Sequence, residues 1–320
     1  MMTDQFKNEP IDHHFVPQTY LRHFENSNQK LYRCRIWDDV RNSIKETSSA
    51  GIAYRKHFYR LLNVSTPGLT PLVIESHLNR QYEAVIPAFW DFFALSQSRI
   101  SLNMKYEMSE VITNFKMRNP YIRGKFFENK ELLIQQIQDS LVTFIADLER
   151  SELTEQQLKR ETANLKKLEG VFLEQIRLLP ASELHNRFLI YQDAENSQIK
   201  RSVIWQLAQG DWEILECEMP GFITTDNPGI AMKGNNSFNL GHPDGKFEYY
   251  FPLSSLQVLK IHCNNRPQSL STLRHVSYRS VQIGEVEQVN CFVCLNAVED
   301  IYGHDKLHLV RTKELMAMNK

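Results

Sequence analysis

The stretch KELLIQQIQDSLVTFIADLER (130–150) decides the fold. Ile134, Ile137, Leu141, Phe144 and Leu148 recur in a 3-4 rhythm, which predicts an amphipathic helix. A break at Ser151–Leu153 follows, and Thr154 opens a second long helix, with Gln157 at the capping-box position. Leu158, Leu165, Leu168 and Phe172 continue the apolar pattern until Pro180. Two long helices with a short join predict an antiparallel hairpin.

Outward from the hairpin the segments are shorter. Upstream, PLVIESHLNRQYEAVIPAFWDFFAL (71–95) has helical spacing, with Pro87 expected to kink or end it. YEMSEVITNFKMRNP (106–120) predicts a helix stopped by Pro120. Residues 181–210 predict one further helix downstream. The two ends of the chain are β-like. Residues 29–47 alternate, KHFYRLL (56–62) predicts a short strand, and STPGLTP (65–71) is a break. From Asp211, strand-like runs are separated by Pro220-Gly221, Asp226–Gly229 and Pro243-Asp244-Gly245. GEVEQVNCFVCLNAVEDIYG (284–303) predicts a helix ended by Gly303, and KLHLVR (306–311) a last strand. The order gives an α+β plan: a mixed β-sheet core built from the N- and C-terminal segments, with a long-helix lobe inserted between them. The divisions fall at 1–70, 71–210 and 211–320, read as one integrated unit.

Composition excludes several classes. The chain has 320 residues, 42% hydrophobic, and a formal charge of −1, so no global field draws it to nucleic acid or membrane. Five cysteines without regular spacing argue against a disulfide framework. The polar N-terminus is no signal peptide and no apolar run reaches membrane length, so a cytoplasmic protein without membrane association is expected. Signatures for P-loops, Rossmann dinucleotide sites, serine hydrolases and zincins are absent.

Four pieces occur in a characteristic order: HHFVPQTYLRHF (13–24), IESHLNRQYEAVIP (74–87), GFITTDNPG (221–229) and FPLSSLQVLKI (251–261). Together they resemble the DUF4238 family, a group named for its lack of assigned function. Thr225 stands where that family commonly has serine. The resemblance implies a single unit and brings no activity with it.

The candidate site residues come from these pieces. His13 and His14 are adjacent, so at most one is expected to face a site, as general base or metal ligand. Asp226 and Asn227 leave a strand end, with Thr225 before them. Asp226 is a candidate base or metal ligand and Asn227 a candidate donor. The bland alternative is an ordinary Asx turn. Glu75 and Glu83 fall about 80° apart on a helix and could line one groove. Arg118, Arg123 and Arg22 could form an anion clamp. Cys291 and Cys294 form a lone C-x-x-C, better read as helix-face core than as zinc ligands.

Two functions are expected from different classes. The first is a metal-dependent hydrolase of the nuclease type, expected to serve as a toxin or phage-defence effector. His14, Glu75 and Asp226 would hold Mg²⁺ or Mn²⁺, and the arginines would bind nucleic acid. The second is a non-catalytic binding or assembly protein, with helices 130–178 as an oligomer or partner surface. Convergence of His14, Glu75 and Asp226 favours the first; apolar side chains left exposed on the hairpin favour the second.

Overall fold

A computed structural model describes residues 11–39, 43–62, 70–150, 153–192, 198–242, 244–264 and 272–318. The N-terminal part carries β1 (Asp12–His14), α1 (Gln18–Leu21), β2 (Leu31–Arg35), β3 (Lys45–Thr47) and β4 (Tyr54–Lys56). The helical middle carries α2 (Val73–Gln81), α3 (Ile86–Ala94), a short β5 (Arg99–Ser101), α4 (Leu102–Met117), α5 (Pro120–Glu128), α6 (Lys130–Glu149), α7 (Glu155–Leu178), α8 (Ala181–Gln192) and α9 (Gln198–Gln209). The C-terminal part carries β6 (Asp211–Glu216), β7 (Ile223–Thr225), β8 (Ile230–Lys233), β9 (Asn236–Phe238), β10 (Lys246–Pro252), β11 (Gln257–Asn264), β12 (Leu273–Ser280), α10 (Ile283–Cys294), β13 (Asp300–Gly303) and α11 (Lys306–Met318).

The α+β plan holds, and the strands divide among three sheets. One has seven strands in the order β5-β12-β6-β11-β10-β8-β9, in which β12 and β6 pair parallel and the other neighbours pair antiparallel. A second, β3-β2-β13-β7, joins the two ends of the chain. A two-stranded ribbon pairs β1 with β4. One apolar cluster draws on all three segments, including Phe15, Phe93, Phe115, Phe251 and Tyr302. At its centre Tyr20 is fully buried, with its ring centroid 5.0 Å from Phe115 and 5.6 Å from Phe251. Such aromatic pairs add about 0.5–1.5 kcal/mol beyond area burial.

Local signals explain most helix ends. Pro87 sits in the first turn of α3, where its missing N–H costs nothing, and α2 stops before it. Pro120 begins α5 as well as bounding α4, and the Asn119 side chain accepts from the Ile122 N–H at 3.3 Å. The Thr154 capping box forms: the Gln157 side chain accepts from the Thr154 N–H at 3.0 Å.

Several expectations are corrected. The segment 56–62 is mostly a turn after β4, with His57 at φ +54°. Residues 181–210 form two helices. The run 284–303 is a helix only to Cys294; its end is β13, held between β2 and β7. Gly303 is therefore a strand residue and not a helix cap. Residues 306–311 are helical, because Asp305 accepts from the His308 N–H at 3.1 Å and starts α11. The break at 65–71 falls largely outside the described residues.

Hairpin α6–α7 packs chiefly on itself. Ile134, Leu173 and Ile176 are buried, and Leu141, Ile145, Leu148, Leu158 and Leu165 are half-buried, which marks its inner stripe. Ile134, Leu173 and Ile176 reach Leu184 on α8, which anchors the hairpin's base. Phe144 and Leu168, expected in the seam, are 53% and 65% exposed. Phe144 flanks the stripe that Ile145 completes, a one-residue error of phase worth about 100°.

Candidate functional site

The C-terminal end of α4 is the meeting point of the candidate motifs. Arg118 is buried there. Its Nε donates to the Phe15 carbonyl at 3.0 Å, and its Nη2 to Glu83 at 3.0 Å and to the His14 carbonyl at 3.4 Å. A buried guanidinium needs such partners, since an unpaired one is costly to desolvate. Tyr59 closes the arrangement by donating its hydroxyl to the Arg118 carbonyl at 2.8 Å.

The two histidines separate as strand alternation requires. His13 is buried, its Nδ1 accepts from the Tyr59 N–H at 2.8 Å, and its ring stacks on Tyr59. That tie makes His13 part of the β1–β4 architecture. His14 is half-buried, takes a hydrogen bond from Gln18 at 3.2 Å, and lies against Tyr54. Burial lowers its pKa below the ordinary histidine value. Glu75 is half-buried on α2, and burial pushes its carboxyl up to about 7, with Arg118 opposing and Glu83 adding to the rise. His14, Glu75, Glu83 and Arg118 thus share one electrostatic neighbourhood.

Asp226 belongs elsewhere. Its carboxylate accepts the backbone N–H groups of Val298 at 2.8 Å, Glu299 at 2.7 Å and Asp300 at 3.1 Å. It ties the end of β7 to the start of β13. Burial pushes its carboxyl up to about 7 although these three donors oppose the shift. Asn227 is fully buried and saturated. Its amide donates to Asn239 at 3.0 Å and to the Asn296 carbonyl at 2.9 Å, and its oxygen accepts from Lys116 at 3.0 Å and from Asn119. The Thr225 hydroxyl accepts from the Asn227 N–H at 3.1 Å, closing the turn.

Lys116 was not foreseen from sequence. It is fully buried, and its ammonium reaches the Asn227 and Gly229 carbonyls as well as the Asn227 side chain. Burial pushes its pKa down. A lysine among Phe115, Met117 and Ile112 on an otherwise apolar helix face was the available signal. The 13–24 piece meets the 221–229 piece through Tyr20. Tyr20 shares a 2.6 Å hydrogen bond with Thr224 and donates to the Pro252 carbonyl at 2.9 Å.

The expected anion clamp is not assembled. Arg118 and Arg123 are buried on protein acceptors, whereas Arg22 is exposed after α1. Arg123 lies 3.4 Å over the Phe58 ring and donates to His185 at 3.2 Å and Asn186 at 2.6 Å. The expected metal trio is not gathered either. Among the described residues no group of three or more His, Cys, Asp or Glu is placed to hold a metal ion. A cavity of about 550 Å³ lies at the surface, lined by His23, Trp90, Asp91, Glu216, Cys217 and Gln257 among others. None of the expected site residues borders it.

The profile of the family described as "Protein of unknown function (DUF4238)" matches residues 12–307. The chain belongs to the DUF4238 family. No curated protein and no solved structure matches it. Three of the DUF4238-like sequence pieces act as structural ties: His13 to the Tyr59 N–H and the Phe15 carbonyl to Arg118 at the α4 end, Asp226-Asn227 to β13 and α4, and the Leu253 carbonyl to the Trp90 indole. No helix among the described residues is long and apolar enough to cross a membrane.

Proposed function

We propose that this DUF4238 chain is a non-catalytic binding or assembly protein whose α6–α7 hairpin is the partner surface. The observation that carries this reading is apolar exposure on the hairpin after its own seam is filled. Val142, Phe144, Leu168 and Val171 are each at least half exposed. Single exposed apolar side chains are ordinary on a protein surface, but their concentration on one hairpin supports an interaction site. The motif residues support the same reading, because Asp226, Asn227 and Arg118 spend their polar groups on the fold itself.

The test compares the size of the protein in unpurified extract of cells that make it with that of Leu168→Glu. A species larger than the monomer, reduced to the monomer by the substitution, is the expected result. Wild-type protein running as a monomer in extract overturns the reading.

The Glu75 neighbourhood favours one second reading, a hydrolase acting on nucleic acid. A half-buried carboxyl pushed up to about 7, beside Arg118 and Glu83, suits a general base. Mg²⁺ or Mn²⁺ in that reading would need more ligands than Glu75 and Glu83 offer. Purified protein incubated with RNA and DNA, with and without these ions, tests it; cleavage lost in Glu75→Gln supports it, and no cleavage removes it.

A further inference from the structure

We infer that the occupant of the hairpin surface is a second copy of this chain, docked antiparallel along α7 about a two-fold axis between Leu168 and Val171. The inference rests on the partner-surface reading and names the partner. Leu168, Val171 and Leu178 are 65%, 51% and 75% exposed. Their spacing of three and seven residues puts them along one side of α7. Leu173 and Ile176 fill the seam on another side, so α7 has two apolar faces and only one of them is covered.

Charge selects the partner and its direction. The first part of α7, 155–167, holds Lys159, Arg160, Lys166 and Lys167 against Glu155 and Glu161. The last part, 169–178, holds Glu169 and Glu174 against Arg177. Of these, Arg160, Glu161, Lys167 and Glu174 flank the side that carries Leu168, Val171 and Leu178, so that side is net basic toward the start of the helix and acidic toward its end. An antiparallel copy sets the basic end of each α7 beside the acidic end of the other. A parallel copy stacks like charge on like. The apolar pair Leu168 and Val171 lies where the two halves meet, so a two-fold axis there places Leu168 of each chain near Val171 of the other. Isologous contacts of this kind are self-complementary and close after two chains. Leu178 would then face the region of Glu161.

Sedimentation of the purified full chain is the first measurement. The expected result is a reversible monomer–dimer equilibrium. Leu168→Glu should weaken it by about thirtyfold, as burial of an interface anchor implies, with unchanged helical circular dichroism. Lys167→Glu should also weaken it, and Glu174→Lys added to that variant should restore it. Direction is read by oxidation: Leu168→Cys should cross-link two chains, and Leu178→Cys should not. Cross-linking through Leu178→Cys, with or without Leu168→Cys, overturns the antiparallel arrangement. A wild-type chain that stays monomeric up to high concentration overturns the second copy. If the same chain is part of a larger species in extract that Leu168→Glu abolishes, the partner-surface reading stands and the partner is a different protein.

Discussion

Replacing Asp226 by alanine removes the acceptor of three backbone N–H groups at once, those of Val298, Glu299 and Asp300. Each bond to a charged acceptor is worth about 1.5–3 kcal/mol. Alanine also removes a carboxyl that is costly to bury, so the terms partly offset, and a net loss of about 4 kcal/mol is expected. That is a large part of the roughly 5–15 kcal/mol that holds an ordinary domain together. Asp226→Asn keeps one acceptor oxygen but turns an amide donor toward a backbone donor, and should lose about half as much. Urea unfolding of the three proteins measures this, with the midpoint lowered and the slope unchanged. Hydrogen exchange at 298–300 should accelerate in the same order. A loss below about 1 kcal/mol, the range of ordinary surface substitutions, would refute the view that Asp226 is an architectural tie.

Further outcomes follow from the other buried groups. Glu75 titrates near 7 when folded and near 4.5 when unfolded, so the folded state binds the proton more tightly. Its contribution is therefore complete below about pH 4.5 and is lost as pH rises through about 7. Relative to Glu75→Gln, the wild type should lose about 2 kcal/mol across that window, a figure discounted for partial solvent exposure; a difference that stays flat with pH contradicts the burial argument. Lys116→Met leaves the Asn227 and Gly229 carbonyls and the Asn227 side chain without their ammonium donor, and should cost about 3 kcal/mol in chemical denaturation. Tyr20→Phe should cost about 1–2 kcal/mol by removing the hydroxyl between Thr224 and the Pro252 carbonyl, with the aromatic packing kept. Gly229→Ala should cost more than that, because φ is +82° and the added Cβ would lie 2.6 Å from the Tyr249 hydroxyl; the melting temperature reads both.

What the sequence discloses is the part that is local. The Thr154–Gln157 capping box, the helix break near Pro87 and the long apolar rhythms of α6 and α7 are local, and all are visible in the chain. The β13 strand is not. Val286, Val289 and Val293 set a helical rhythm, and what ends it is pairing of 300–303 with β2, over 260 residues away in the chain, and with β7. Helix α11 had a readable start in Asp305, but alternation of Leu307 and Leu309 imitated a strand. The site followed the same division. Polar residues at turns stand out in the chain, but whether they face a ligand or the protein depends on partners such as Lys116, Tyr59 and the 298–300 backbone, which no local pattern reveals. Asp226 and His14 were expected together, and the fold ties Asp226 to the β13 end and His14 to the β1–β4 ribbon.

The most direct test of the central claim places a photo-activated cross-linking residue at position 168 in living cells, with position 95, also an exposed leucine, as the comparison. A discrete cross-linked species from position 168 and none from position 95 is the predicted result. No adduct at 168, or the same diffuse pattern at both positions, would contradict the account of the hairpin as a partner surface.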